Sequence, residues 1–223
     1  MELPIPPGEE KNGMRCTAIS NYEITRNKMR DEFVKYDQEK MIQKFQLEHD
    51  DEFLFIHFVD RDYRINRKDG VVEGTQDGFI TIVLADFNES MTIYDVLCYS
   101  KPDCKLSGKF CSIGLLKGTA QFSKGGIDLC LGHADVFDGQ LEKLAKACEV
   151  FGEKTDLKGD LAYILHPFSF LPVTLQYWEA DEEFPASLKF MFDENIMDYM
   201  HYETIYYMVG HILNRLESLI KEM

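Results

Sequence analysis

Asp193, Asp198, His201 and Glu203 lie close together around the predicted start of the last helix. Three carboxylates and an imidazole supply the oxygen and nitrogen ligands that suit a divalent cation, and such a site would make the chain a metal-assisted enzyme. The same residue types also cap helices and oppose helix dipoles, so Asp193, Asn195 and Asp198 have a purely local reading as well. A second candidate lies in WEADEEFPASLKFMFDEN, Trp178 to Asn195, which holds the only tryptophan of the chain. Trp178 and Phe184 flank the acidic run Asp181, Glu182 and Glu183, forming an amphipathic rim of the kind that holds a ligand or fixes a turn. The ligand-binding candidates are Trp178, Asp181, Glu183, Phe184 and Asp193. If the strands on either side of the acidic run are antiparallel neighbours, Asp181–Glu183 and Asp193–Glu194 fall at opposite ends of the sheet. That arrangement argues against a paired-carboxylate glycosidase site.

Other chemistries find less support. The sequence contains no G-x-S-x-G elbow, HExxH, Walker loop or Rossmann fingerprint, and no cysteine–histidine spacing that suggests a nucleophile and its base. SKGGIDLCLGH lacks the glycine order of a phosphate loop, so its glycines read as permissive turns. Cys16, Cys98, Cys104, Cys111, Cys130 and Cys148 form no CxxC pair and match neither zinc-ribbon nor ferredoxin spacing. In a chain of 223 residues they read as free, buried thiols. His57, among phenylalanines, reads as a hydrogen-bonded core residue.

The chain carries 39 acidic and 24 basic residues, a formal charge of -15 that repels phosphate backbones and anionic headgroups. Nucleic acid and membrane are therefore not expected as partners, whereas a small molecule or a protein is. The N-terminus lacks the basic and apolar regions of a secretory signal, and no apolar run reaches membrane-spanning length, so a soluble, cytoplasmic protein is expected. Nothing in the residues names a cofactor or an oligomeric state.

The elements that must position these residues follow from pattern and punctuation. Proline, glycine and charge make residues 1–17 an extended arm, and residues 18–223 are expected to form a single α+β domain. Ser20 and Glu23 read as a capping box opening a helix to about Lys35, and Asp37 caps a second. Phe53 to Val59 and the DYRIN segment read as a hairpin, followed by a turn at Lys68–Gly70. FITIVLADFNES reads as strand or helix start, and MTIYDVLCYS as a helix with Thr92 and Asp95 at capping-box separation. Asp138 to Gly152 is a short amphipathic helix, and DLAYILHPF, LPVTLQYW and ASLKFMFD form an antiparallel meander. In the final helix, Glu203 to Met223, Ile205, Val209, Ile212, Leu216 and Leu219 form the buried stripe. Tyr207, His211, Arg215 and Ser218 lie on the opposite, polar side. The expected fold is thus an antiparallel sheet, built from a three-strand meander and an N-terminal hairpin, packed with amphipathic helices.

The stretch GDLAYILHPFSFLPVTLQYWEADEEFPASLKFMFDENIMDYMHYET, with SGKFCSIGLLKG and DYRINRKDG upstream, resembles an uncharacterised prokaryotic family catalogued as domain of unknown function 3786. The family pattern matches here at Trp178, Asp181, Glu183, Phe184, Pro185, Phe192, Asp193 and Glu203. Ala180 stands where the family usually has glycine, so that turn is expected to form without a positive φ there. The resemblance implies an anaerobic prokaryotic setting. Because some members carry a four-cysteine iron–sulfur module of corrinoid-linked one-carbon proteins, it also implies a link to that metabolism. The cysteine spacings here do not reproduce the module, so no cluster is carried over. Three readings stand: a ligand- or partner-binding accessory protein with its surface at Trp178, a metal-assisted enzyme, and a purely structural or interaction domain.

Overall fold

A computed structural model describes residues 21–117, 130 and 132–223. The expected arm over residues 1–17, the Ser20 cap and most of SKGGIDLCLGH lie outside them. The described residues form an α+β fold of six α-helices and two antiparallel sheets. Helices α1 (Asn21–Phe33) and α2 (Gln38–Phe45) precede a first sheet of β1 (Phe53–Phe58), β2 (Arg61–Asn66), β3 (Val72–Thr75) and β4 (Val83–Leu84), in that order. Helix α3 (Phe87–Tyr99) leads to the second sheet, which comprises β5 (Phe110–Cys111), β6 (Gly152–Lys154), β7 (Leu161–Phe168), β8 (Leu171–Trp178) and β9 (Ser187–Asp193). Its order is β5-β9-β8-β7-β6, with α4 (His133–Phe137) and α5 (Leu141–Glu149) inserted before β6 and α6 (Tyr202–Glu222) at the end. The expected hairpin and meander are both present, but in two separate sheets, each widened by short strands too brief to show a period.

Local chemistry sets the boundaries. Asp37 caps α2 by accepting from the Lys40 amide at 3.2 Å. The turn after β2 is held by Asn66 Oδ1, which accepts from the Lys68 and Asp69 amides, and closes at Gly70 with φ +74°. A Cβ there would lie 2.7 Å from the Arg30 carbonyl oxygen, so glycine is required for both reasons.

Helix α3 departs from expectation. It starts at Phe87 under a capping box made by Asp86 and Glu89, so Thr92 sits in the helix interior and donates to the Asn88 carbonyl at 2.7 Å. Asp95 instead caps another helix: its carboxylate accepts from the His201 amide at 2.7 Å, at the start of α6.

Three side chains correct the one-sided reading of their elements. His57 is hydrogen-bonded but not in the core. Strand alternation turns it to solvent, where Nδ1 lies 2.8 Å from Asp62 Oδ1. His211 and Arg215, expected on the polar side of α6, are buried at 5% and 7% exposure. The reason is that α6 packs against α3 on one flank and α4 and α5 on another, and a helix enclosed in this way is buried nearly all round.

One contiguous apolar core joins the two sheets. At the joint, Phe58 of β1 stacks on Phe168 of β7 (centroids 4.6 Å) and on His211 of α6 (4.9 Å). Beside it, Arg215 grips Asp60 with Nε at 2.9 and 2.8 Å from the two carboxylate oxygens, and both side chains are 8% exposed. Removing Asp60 leaves the Arg215 charge buried, with only the exposed Glu222 among the described residues, 3.1 Å from Nη1, as a counter-charge. Asp60→Ala is therefore expected to cost about 3–5 kcal/mol in urea unfolding, and adding Arg215→Met to that variant should recover most of the loss.

Candidate functional site

The acidic turn is built by its own backbone. Asp181 Oδ1 accepts from the Glu183 amide at 2.8 Å and the Phe184 amide at 2.7 Å, while its amide donates to the Phe184 carbonyl at 2.9 Å. Those two amides hold the Asp181 carboxyl below the usual carboxylate range. The strand end is tied down by two more acids: Asp160 accepts from the Glu179 amide at 2.9 Å, and Asp138 from the Ala180 amide at 3.0 Å. Neither Ala180 nor any neighbour in this turn has a positive φ. Between the turn and the sheet runs an open cleft of about 630 Å³, walled by Trp178, Phe184 and Pro185 and edged by Asp160, Glu179 and Asp181. Phe184 is 66% exposed.

The structure thus brings Trp178, Asp181 and Phe184 to one cleft. Glu183 is exposed on the same turn but outside the cleft lining. Asp193, at the far end of β9, is 1% exposed. Its Oδ1 accepts from the Ser107 and Asn195 amides at 3.0 and 2.9 Å, and its Oδ2 from Gly108 at 2.8 Å. It clamps the segment before β5 onto the end of β9.

The other members of the carboxylate–histidine set have separate partners. Asp198 Oδ1 lies 2.6 Å from Lys101 Nζ, and His201 Nδ1 lies 2.6 Å from Asp95 Oδ1. Glu203 is exposed in the first turn of α6, where its charge opposes the helix dipole.

A different polar centre lies where α3, β2 and α6 meet. Glu89, 5% exposed, receives the Tyr63 hydroxyl on Oε1 at 2.7 Å and Arg61 Nη1 on the same oxygen at 3.3 Å. Its Oε2 accepts from the Asp86 amide at 2.7 Å, completing the capping box. His211 Nδ1 lies 3.7 Å from Glu89 Oε1, and His211 Nε2 is buried with no hydrogen-bond partner. Burial lowers the His211 pKa against the raising effect of Glu89; burial and Glu89 together push the Tyr63 hydroxyl far up. Arg61, Tyr63, Thr75, Asp77, Leu84 and Glu89 line an adjoining cavity of about 320 Å³. The sequence carries one signal for this centre. Asp86 and Glu89 stand at capping-box spacing, but nothing local marks His211 or Tyr63 as their neighbours.

No helix among the described residues is long and apolar enough to cross a membrane. No curated protein and no solved structure matches the chain. The model of one family, described as Domain of unknown function (DUF3786), matches residues 37–215, which take in both sheets, the Trp178 cleft and the Glu89 centre. The chain belongs to the DUF3786 family.

Proposed function

We propose that the chain is a ligand-binding accessory protein whose Trp178 cleft takes an organic cation. The observation that carries this reading is the cleft itself, which is lined by two aromatic residues, Trp178 and Phe184, and three acidic ones, Asp160, Glu179 and Asp181. An aromatic face attracts a cation through its quadrupole, and carboxylates at the rim supply the opposing charge. A net charge of -15 raises the local concentration of any cationic ligand and disfavours anionic ones. Phe184, exposed as it is, gains from being covered.

Trp178 is the only tryptophan, so its emission reports the cleft alone. Titration with a quaternary ammonium compound and with a polyamine should give a saturable change in emission. Phe184→Ala should weaken binding by roughly two- to fivefold, the equivalent of one exposed cation–π contact. A corrinoid forms a separate arm, and a response to it alone would replace the cation reading with the one-carbon link implied by the family resemblance. No response to any of them would favour the structural or interaction-domain reading.

The turn that shapes the cleft makes a second, pH-dependent prediction. Asp181 has a lowered pKa, so its two amide bonds are complete above the usual carboxylate range and are lost as pH falls through the lowered value. Trp178 emission should therefore change on acidification with a midpoint below about 3.9, the value of a free aspartate. Asp181→Ala should abolish that step.

A further inference from the structure

The capping box of α3 holds two carboxylates still and leaves one oxygen of each outside the cap. Asp86 Oδ1 accepts from the Glu89 amide at 2.9 Å, and Glu89 Oε2 from the Asp86 amide at 2.7 Å. Asp86 Oδ2 and Glu89 Oε1 take no part in it. From another helix, His211 completes a set in which one ligand-capable atom from each of Asp86, Glu89 and His211 lies within 4.8 Å of the others. Among the described residues no other three histidine, cysteine or acidic side chains converge in this way, the Asp193–Glu203 set included.

The state of His211 is what a cap does not explain. At 3.7 Å its Nδ1 is beyond hydrogen-bonding distance of Glu89 Oε1, and Nε2 is buried with no partner. The cap does not engage this ring, and a buried ring nitrogen left without a partner is costly. Two ligand atoms at that separation can both lie roughly 2.0–2.2 Å from a shared ion. Asp86 is exposed while Glu89 and His211 are buried, so the set has a solvent entrance and a fixed floor.

We propose that Asp86, Glu89 and His211 bind one divalent first-row transition ion, of the zinc, manganese or ferrous class, with its remaining positions open toward the Arg61-lined cavity. One imidazole with two carboxylates selects that class over calcium and magnesium, which favour oxygen-only ligand sets. Three protein ligands leave open coordination positions, as catalytic rather than structural sites do. Tyr63 and Arg61 act as outer partners, donating to Glu89 and fixing its carboxylate. With Arg61 present, the two carboxylates carry one net negative charge between them, which a divalent ion reverses to one positive. An anionic or oxygen-donor ligand in the cavity then meets both the ion and the Arg61 guanidinium.

The test is independent of the Trp178 cleft. The full chain, stripped with a chelator, is titrated with Co²⁺ by visible absorption and with Zn²⁺ by calorimetry. One equivalent should bind, and both Asp86→Asn and His211→Gln should weaken binding at least tenfold. Asparagine caps helices as well as aspartate does, so Asp86→Asn removes the ligand charge while leaving the fold intact. Asp198→Asn and His201→Gln should leave affinity unchanged. The absence of saturable binding, binding insensitive to Asp86→Asn, or binding lost in the Asp198 or His201 variants would each overturn the proposal.

Discussion

The enclosure of α6 by α3 on one flank and by α4 and α5 on another is the constraint on which the remaining packing depends. A helix so enclosed cannot keep a polar side, and its residues at 211 and 215 must find partners in the interior. Arg215 finds Asp60 in the β1–β2 turn, and His211 finds the face of Phe58, the last residue of β1 before that turn. Val59, the residue between them, has φ +62°, rare for a β-branched residue, and its amide donates to the Pro167 carbonyl at 2.7 Å. The turn of the first sheet is thus fixed by the helix on one side and the second sheet on the other. An aromatic series continues from Phe168 to Phe170 and on to Phe45 of α2, so the joint extends across the molecule.

A recurring use of carboxylates in this acidic chain is as acceptors for backbone amides at the ends of elements. Asp37 and Asp86 cap their own helices, Asp95 caps a distant one, and Asp181 and Asp193 hold turns. Each satisfies amides that would otherwise be unpaired at an element's end. This use explains why so many acids can stand near one another without forming a site. Asp193 and Asp181 sit in one acidic stretch of sequence, yet each is committed to a different end of β9.

What the sequence makes legible follows from which signals are local. Alternation in LPVTLQYW, proline and glycine punctuation, and the Asp37 cap identify β8, its neighbours and α2, because each depends on residues adjacent in the chain. Strands of two or three residues such as β4, β5 and β6 have no period to read. The α3 boundary lies earlier than its pattern predicts because Thr92–Asp95 and Asp86–Glu89 share one spacing. Only the partner of Asp95, on a helix more than a hundred residues away, separates them. Likewise, His211 takes its environment from Phe58 and Glu89, which no helical wheel contains.

The Trp178 cleft and the Glu89 centre differ in how firmly their groups are held, and that difference bears on the two roles proposed for them. The Trp178 cleft is made by a strand end and an exposed turn, with Asp181 as the latch, so its walls can adjust to a ligand's shape. The Glu89 centre is carried on two packed helices and a strand, with its carboxylate held from three directions by Tyr63, Arg61 and the Asp86 amide. Groups locked by surrounding hydrogen bonds suit chemistry that tolerates little misplacement, because they need no reorganisation when charge develops. The proposed recognition by area and charge fits the first region, and the proposed coordination of an ion fits the second.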